Sequence, residues 1–187
     1  QGGSVQIEYA EKYGTTDNPN FKYVMSRVTV SDGCSETVPE IKHGAHEIGT
    51  NYEYDGAYYD REQRDFFGFR TVTTTFADGT YTIDEYCNRE YYLKGAVEKS
   101  TMYAADGEIL SIHTAEYCDA PCALTAKEEN WTYEKASGSS DCIHTVARYD
   151  YDGYGNCTRV TQDFGDGESI TGEIIYDNSN VAEYIIG

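Results

Sequence analysis

The dipeptide Asp-Gly recurs six times along the chain, at Asp32-Gly33, Asp55-Gly56, Asp78-Gly79, Asp106-Gly107, Asp152-Gly153 and Asp166-Gly167. Successive gaps are 23, 23, 28, 46 and 14 residues, and 46 is twice 23. Asp-Gly is a strong hairpin signal, because both residues tolerate the positive φ that the central positions of a type I′ turn require. A spacing near 23 leaves room for two strands of ordinary length and a second turn. The chain therefore reads as a succession of β-hairpins of degenerate sequence.

The segments between these turns support that reading. Ser4–Tyr9, Tyr23–Val30, Phe69–Phe76 and Thr80–Tyr86 alternate apolar with polar residues, as do the segments flanking Asp106-Gly107 and Gly165-Asp166-Gly167. Period-two alternation implies a sheet with two unlike faces. Nineteen tyrosines and only three prolines suit such strands. Tyrosine pairs across strands while its hydroxyl reaches water or a neighbouring backbone. No long segment carries a 3.6-residue period. Pro39–Gly49 has room for one helical turn, and Tyr59–Phe69 reads as a turn entering a strand whose phenylalanines anchor the core. The expected fold is all-β, with consecutive antiparallel hairpins in a twisted or curling sheet, and residues 1–187 form a single domain or a fragment of something larger.

Charge narrows the function classes. With 33 acidic residues against 14 basic ones, the formal net charge is −19. Such a surface repels phosphate backbones and anionic lipid, so neither nucleic acid nor a membrane is an expected partner. No apolar run approaches the ~18 residues of a membrane span. Gln1 is not an initiator methionine, which suggests processing from a longer precursor. Six cysteines (Cys34, Cys87, Cys118, Cys122, Cys142 and Cys157) point to disulfides and an extracellular location, with fifteen pairings open. Zinc bound by Cys118, Cys122 and His113 is the weaker alternative. Asn130 and Asn156 begin N-x-T sequons.

Chemistry-bearing motifs are sparse. Asp150, Asp152 and Asn156 have the alternate spacing of calcium ligands, and Gly155 stands sixth from Asp150. Position twelve is Thr161, so the distant bidentate glutamate of a calcium loop is missing, and a hairpin accounts for the same residues. His43 and His46, next to Glu47, could bind a metal or act as a base, but they fall in a loop between strands. No nucleophile elbow or phosphate-binding glycine loop occurs. A non-catalytic protein without a cofactor is expected.

One segment has a recognisable form. "YEYDGAYYDREQRDFFGFRTVTT" (Tyr52–Thr74) resembles a region of Rhs/YD-repeat proteins, above all the B component of insecticidal Tc toxins. "RYDYDGYGNCTRVT" (Arg148–Thr161) is similar to the YD repeat itself, and "SRVTVSDG" and "IIYDNSNVAEYIIG" also fit. The resemblance implies a β-sheet that forms part of a hollow shell around a cargo polypeptide. A closed shell needs many more than 187 residues. The expected role is therefore a secreted structural element that meets its own copies, or the rest of a shell, through edge strands. An extracellular carbohydrate- or surface-binding module built on exposed tyrosines and Trp131 is the alternative.

Overall fold

The computed structural model describes residues 2–12, 14–33, 47–119, 122–134 and 142–177. Cys34, His43, His46 and the terminal 178–187 lie outside them, as does the helical turn considered at Pro39–Gly49 except for its last three residues, which belong to a strand. Eleven strands form one antiparallel sheet in which each strand pairs with the next along the chain. They are β1 (Ser4–Lys12), β2 (Lys22–Ser31), β3 (Glu47–Asp55), β6 (Thr71–Thr75), β7 (Tyr81–Tyr86), β8 (Val97–Tyr103), β9 (Ile109–Tyr117), β10 (Thr125–Tyr133), β11 (Cys142–Tyr151), β12 (Cys157–Asp163) and β13 (Ser169–Glu173). Between β3 and β6 the chain makes a separate hairpin, β4 (Tyr58–Asp60) and β5 (Asp65–Gly68). Among the described residues β1 and β13 do not pair with each other, so the sheet is open. The all-β meander follows the hairpin reading of the sequence closely.

The turns follow a different chemistry from the type I′ expectation. Gly79 N–H donates to the Phe76 carbonyl (3.0 Å), and Phe76 N–H donates to the Thr80 carbonyl (2.8 Å). Ala104–Glu108 and Asp152–Asn156 repeat both bonds. Gly79, Gly107 and Gly155 all have positive φ, whereas the only non-glycine with positive φ among the described residues is Arg64. This is a type I turn followed by a left-handed glycine, a three-residue loop. Only one residue per turn needs the left-handed region, and it is the glycine. The aspartate has another task, accepting a backbone N–H two residues on: Thr80 onto Asp78 (3.0 Å), Glu108 onto Asp106 (3.2 Å) and Glu168 onto Asp166 (2.9 Å).

Asp152-Gly153 is out of phase with these. Asp152 opens its turn and receives the N–H groups of Tyr154 (2.9 Å) and Asn156 (3.0 Å), while the left-handed glycine is Gly155. The sheet thus has a turn side, with Asp78-Gly79, Asp106-Gly107 and Asp166-Gly167, and a loop side, with Asp55-Gly56 and Asp152-Gly153.

On the loop side a local order recurs. Tyr86, Tyr117 and Tyr151 end β7, β9 and β11, each at a register shift against the next strand. The residue after each tyrosine closes the loop mouth with its N–H: Cys87 to Ala96, Cys118 to Leu124, Asp152 to Asn156. Cys87 and Cys118 thus stand where the aspartate stands in the Tyr-Asp pair. Bulges at these positions locally increase strand twist.

The turn chemistry can be tested with two glycines that look alike in sequence. Gly107→Ala places a side chain at φ +89 with no steric neighbour closer than the Tyr81 hydroxyl at 4.0 Å, so the cost is backbone strain of ~1 kcal/mol. Gly153→Ala, outside the left-handed region and with nothing within 4 Å, is neutral to slightly stabilising. Urea denaturation of both variants reads the difference.

Candidate assembly surfaces

Directly opposed residues in an antiparallel pair share a face, so the registers assign every strand side chain. One row runs Asp55, Thr71, Glu85, Lys99, Thr114, Glu129, and a second runs through Lys127, Arg148 and Thr161. This face carries most of the strand charges. The other face carries Val5, Val30 and Ile48 in one row, Ile7, Val28 and Thr50 in the next, then Tyr52 and Tyr54 on β3. Asp84, Glu128 and the Glu11 that Tyr23 bonds (2.7 Å) are among its few charges.

The charged face is tied by ion pairs, most of them between neighbouring strands. Lys127 sits between Glu116 and Glu129, and Arg159 between Glu173 (2.9 Å) and Asp150 (3.9 Å). Glu129 also meets His144 Nε2 at 2.8 Å, and its hydrogen bond to Lys127 holds its carboxyl below the ordinary range, with His144 adding to the effect. These groups are solvated, so the pairs specify register more than they stabilise.

The apolar face is sealed on its loop side by tyrosines. Tyr54, Tyr86, Tyr117, Tyr149 and Tyr151 all lie there, half-buried. Tyr117 donates to the Val97 carbonyl (2.6 Å), Tyr151 to the Thr125 carbonyl (2.8 Å) and Tyr149 to the Glu128 carboxylate (3.1 Å). Burial raises the pKa of all five above the ordinary value near 10.

The densest packing is around the β4–β5 hairpin. Phe67, 3% exposed, meets Tyr58 and Tyr91 edge-on. Lys94 lies over Phe67 and Tyr91 and pairs with Asp65; Arg89 lies over Tyr58 (4.0 Å) and pairs with Asp17 (3.2 Å). Asn88, 2% exposed, donates to the carbonyls of Gly56 (2.8 Å) and Gly68 (3.3 Å). Arg70 reaches the Tyr86 carbonyl (2.7 Å), Glu85 and Glu98. Together these contacts lock the β1–β2 loop, the β4–β5 hairpin and the β7–β8 loop to one another. The phenylalanine anchor was legible in the sequence. Asn88, Arg70 and Arg89 were not, because their partners lie 15 to 72 residues away and nothing local marks them.

The sequence-derived candidates are scattered. Asp152 and Asn156 come together, with the Asn156 amide donating to Asp152 (3.1 Å), while Asp150 faces Arg159. Among the described residues no three His, Cys, Asp or Glu side chains are grouped to hold a metal ion. His113 Nδ1 is bonded to Asn130 (2.9 Å), five strand positions from Cys118. Cys87, Cys118, Cys122 and Cys157 lie on the loop side and Cys142 on the turn side, all five as thiols. Trp131 stacks on His144 (4.6 Å) and Tyr81 on Tyr103 (4.7 Å), each across one strand pair. An open cavity of about 470 Å³ lies beside Arg70, Cys87 and Asn88.

The sheet is open among the described residues, with most strand charges on one face and an apolar corner at β1–β3 on the other. Residues 1–100 match the family model described as the insecticide toxin TcdB middle/N-terminal region, and the chain belongs to that family. Its fold is shared by solved Tc toxin components. A TcdB2-TccC3-Cdc42 crystal structure matches at TM-score 0.64 and 13% identity over 98% of this chain. TcdB2-TccC3-TEV matches at 0.64 and 13% over 86%, and a Photorhabdus luminescens Tc holotoxin pore at 0.66 and 13% over 86%. This chain spans only 11% to 13% of the length of those chains. No curated protein matches it.

Because the five tyrosines are raised in the folded state, the stability they confer is fully present below pH 10 and is lost as pH climbs through their folded pKa values. Alkaline unfolding followed by circular dichroism should therefore begin above pH 10, together with the rise of tyrosinate absorbance. Tyr117→Phe, which removes the bond to Val97, should cost about 1 kcal/mol at neutral pH.

Proposed function

We propose that this chain is a non-catalytic wall element of an extracellular β shell of the Tc-toxin B type, in which the sheet continues past β1 and β13. The observation that carries the reading is the sheet itself. Among the described residues eleven strands lie in one layer, and each outermost strand has a neighbour on one side only. A free strand edge is a row of backbone donors and acceptors ready for a further strand. Family membership and the shared fold support a structural part in a toxin complex. The sugar-platform alternative draws less support, since Trp131 and Tyr81 pack a ring face against a neighbouring ring. In the oxidising setting of a secreted shell, disulfides among the described cysteines would be drawn from the loop-side four. Cys142 stands at the far end of β11, ~30 Å from the loop side.

The edge can be blocked with little damage to the fold. Ile174 N–H donates inward to Thr158 (2.9 Å), so by alternation the N–H of Thr171 points outward from β13. Thr171→Pro removes that donor and leaves the β12–β13 ladder intact. Light scattering should show edge-joined assemblies for the wild-type chain and their loss in Thr171→Pro at unchanged circular dichroism. Assemblies that persist in the variant would sink the edge reading.

A further inference from the structure

Among the described residues nothing covers an apolar surface on the first three strands. On one face Val5 is 63% exposed, Ile7 46%, Tyr9 65%, Tyr23 64%, Val30 46% and Ile48 55%. The registers place Val5, Val30 and Ile48 side by side, with Ile7 two residues along β1 from Val5 and opposite Val28. The apolar exposure is one-sided beyond this corner too. Ile143 and Ile170 lie on the same face of β11 and β13 and are equally exposed. On the reverse side of β1–β3 stand Gln6, Glu8, Arg27, Thr29 and Glu53, as expected of a surface facing water.

We propose that this corner of the apolar face, formed by β1–β3, is a sheet-on-sheet interface with a second copy of the chain. Three features point to that occupant. The six side chains present on the order of 600 Å² of surface, at the upper end of what a lone soluble protein exposes in one patch and about three quarters of the ~800 Å² per partner of a standard interface. The alternation that makes the surface is a sandwich half, and two such faces pack with interdigitated side chains about 10 Å apart. For a chain of net charge −19, pairing through the apolar faces turns both charged faces outward and keeps like charges apart. The inference goes beyond the wall reading. Edge pairing extends one layer, whereas this contact joins two.

The test works in the Thr171→Pro chain, where the β13 edge is blocked, and the comparison of the two faces separates the sheet-on-sheet contact from any pairing of β1 edges. Sedimentation equilibrium should show a monomer–dimer system. Ile7→Lys or Ile48→Lys should weaken the dimer by tenfold or more, whereas Gln6→Lys on β1 and Thr29→Lys on β2, both on the opposite face, should leave it unchanged. Ile7→Thr and Ile48→Thr serve in the same way should a lysine prevent folding, which circular dichroism will report. A Thr171→Pro chain that is monomeric at ~100 µM overturns the proposal, as does an equal effect from substitutions on the two faces. Persistence of large assemblies in Thr171→Pro would count against the edge reading, while the face-specific comparison would still decide this one.

Discussion

Everything in this molecule depends on cross-strand pairing. Among the described residues the apolar side chains that are buried number only six, Val24, Phe67, Ala104, Ala115, Val146 and Ala147, and three of those are alanines. A layer without a thick core must draw its order from ladder hydrogen bonds and from side-chain pairs between neighbouring strands, each contributing ~0.2–1 kcal/mol. The pairs are accordingly specific. Tyr81 stacks on Tyr103, Trp131 on His144, Arg159 meets Glu173, and Asp84 accepts from Ser100. The β4–β5 cluster is the exception. It packs three loops around Phe67 and fixes one margin of the sheet.

The same constraint explains the division between faces. An open one-layer sheet leaves a face in water wherever neither curvature nor a second layer covers it. Tyrosine is the residue that best tolerates this position. Tyr117 and Tyr151 cover apolar surface with their rings and tie their hydroxyls to backbone carbonyls at the bulges, where the ladder is interrupted. On β1–β3 the same face shows Val5, Ile7, Tyr9, Tyr23, Val30 and Ile48, all exposed.

The architecture was legible because strand alternation and Asp-Gly turns are local signals. The turn type was not. Asp-Gly serves equally as the two central residues of a type I′ turn and as the last two of a three-residue loop, and only backbone dihedrals tell them apart. Asp152-Gly153 misleads further, since the left-handed residue there is Gly155. The opening of a calcium-like loop at Asp150 proved to be a hairpin whose aspartate is engaged by backbone N–H groups. The exposed face was hidden for another reason. Alternation at Val5, Ile7 and Tyr9 shows that the two faces differ, but whether anything covers the apolar one depends on the absence of a second layer, a property of the whole topology. The resemblance of Tyr52–Thr74 to the Tc toxin B component pointed to the family that residues 1–100 match.

The central claim is that the sheet of described strands is open, with edges at β1 and β13 and a protected middle. Hydrogen exchange of the dilute, monomeric chain, read strand by strand, addresses it directly. The account predicts slow exchange in β7–β10, where each strand has neighbours on both sides, and fast exchange at alternate amides of β1 and β13, whose N–H groups point away from the sheet. Equal protection of β1, β13 and the central strands would mean that the edges are closed on each other or covered, and would contradict it.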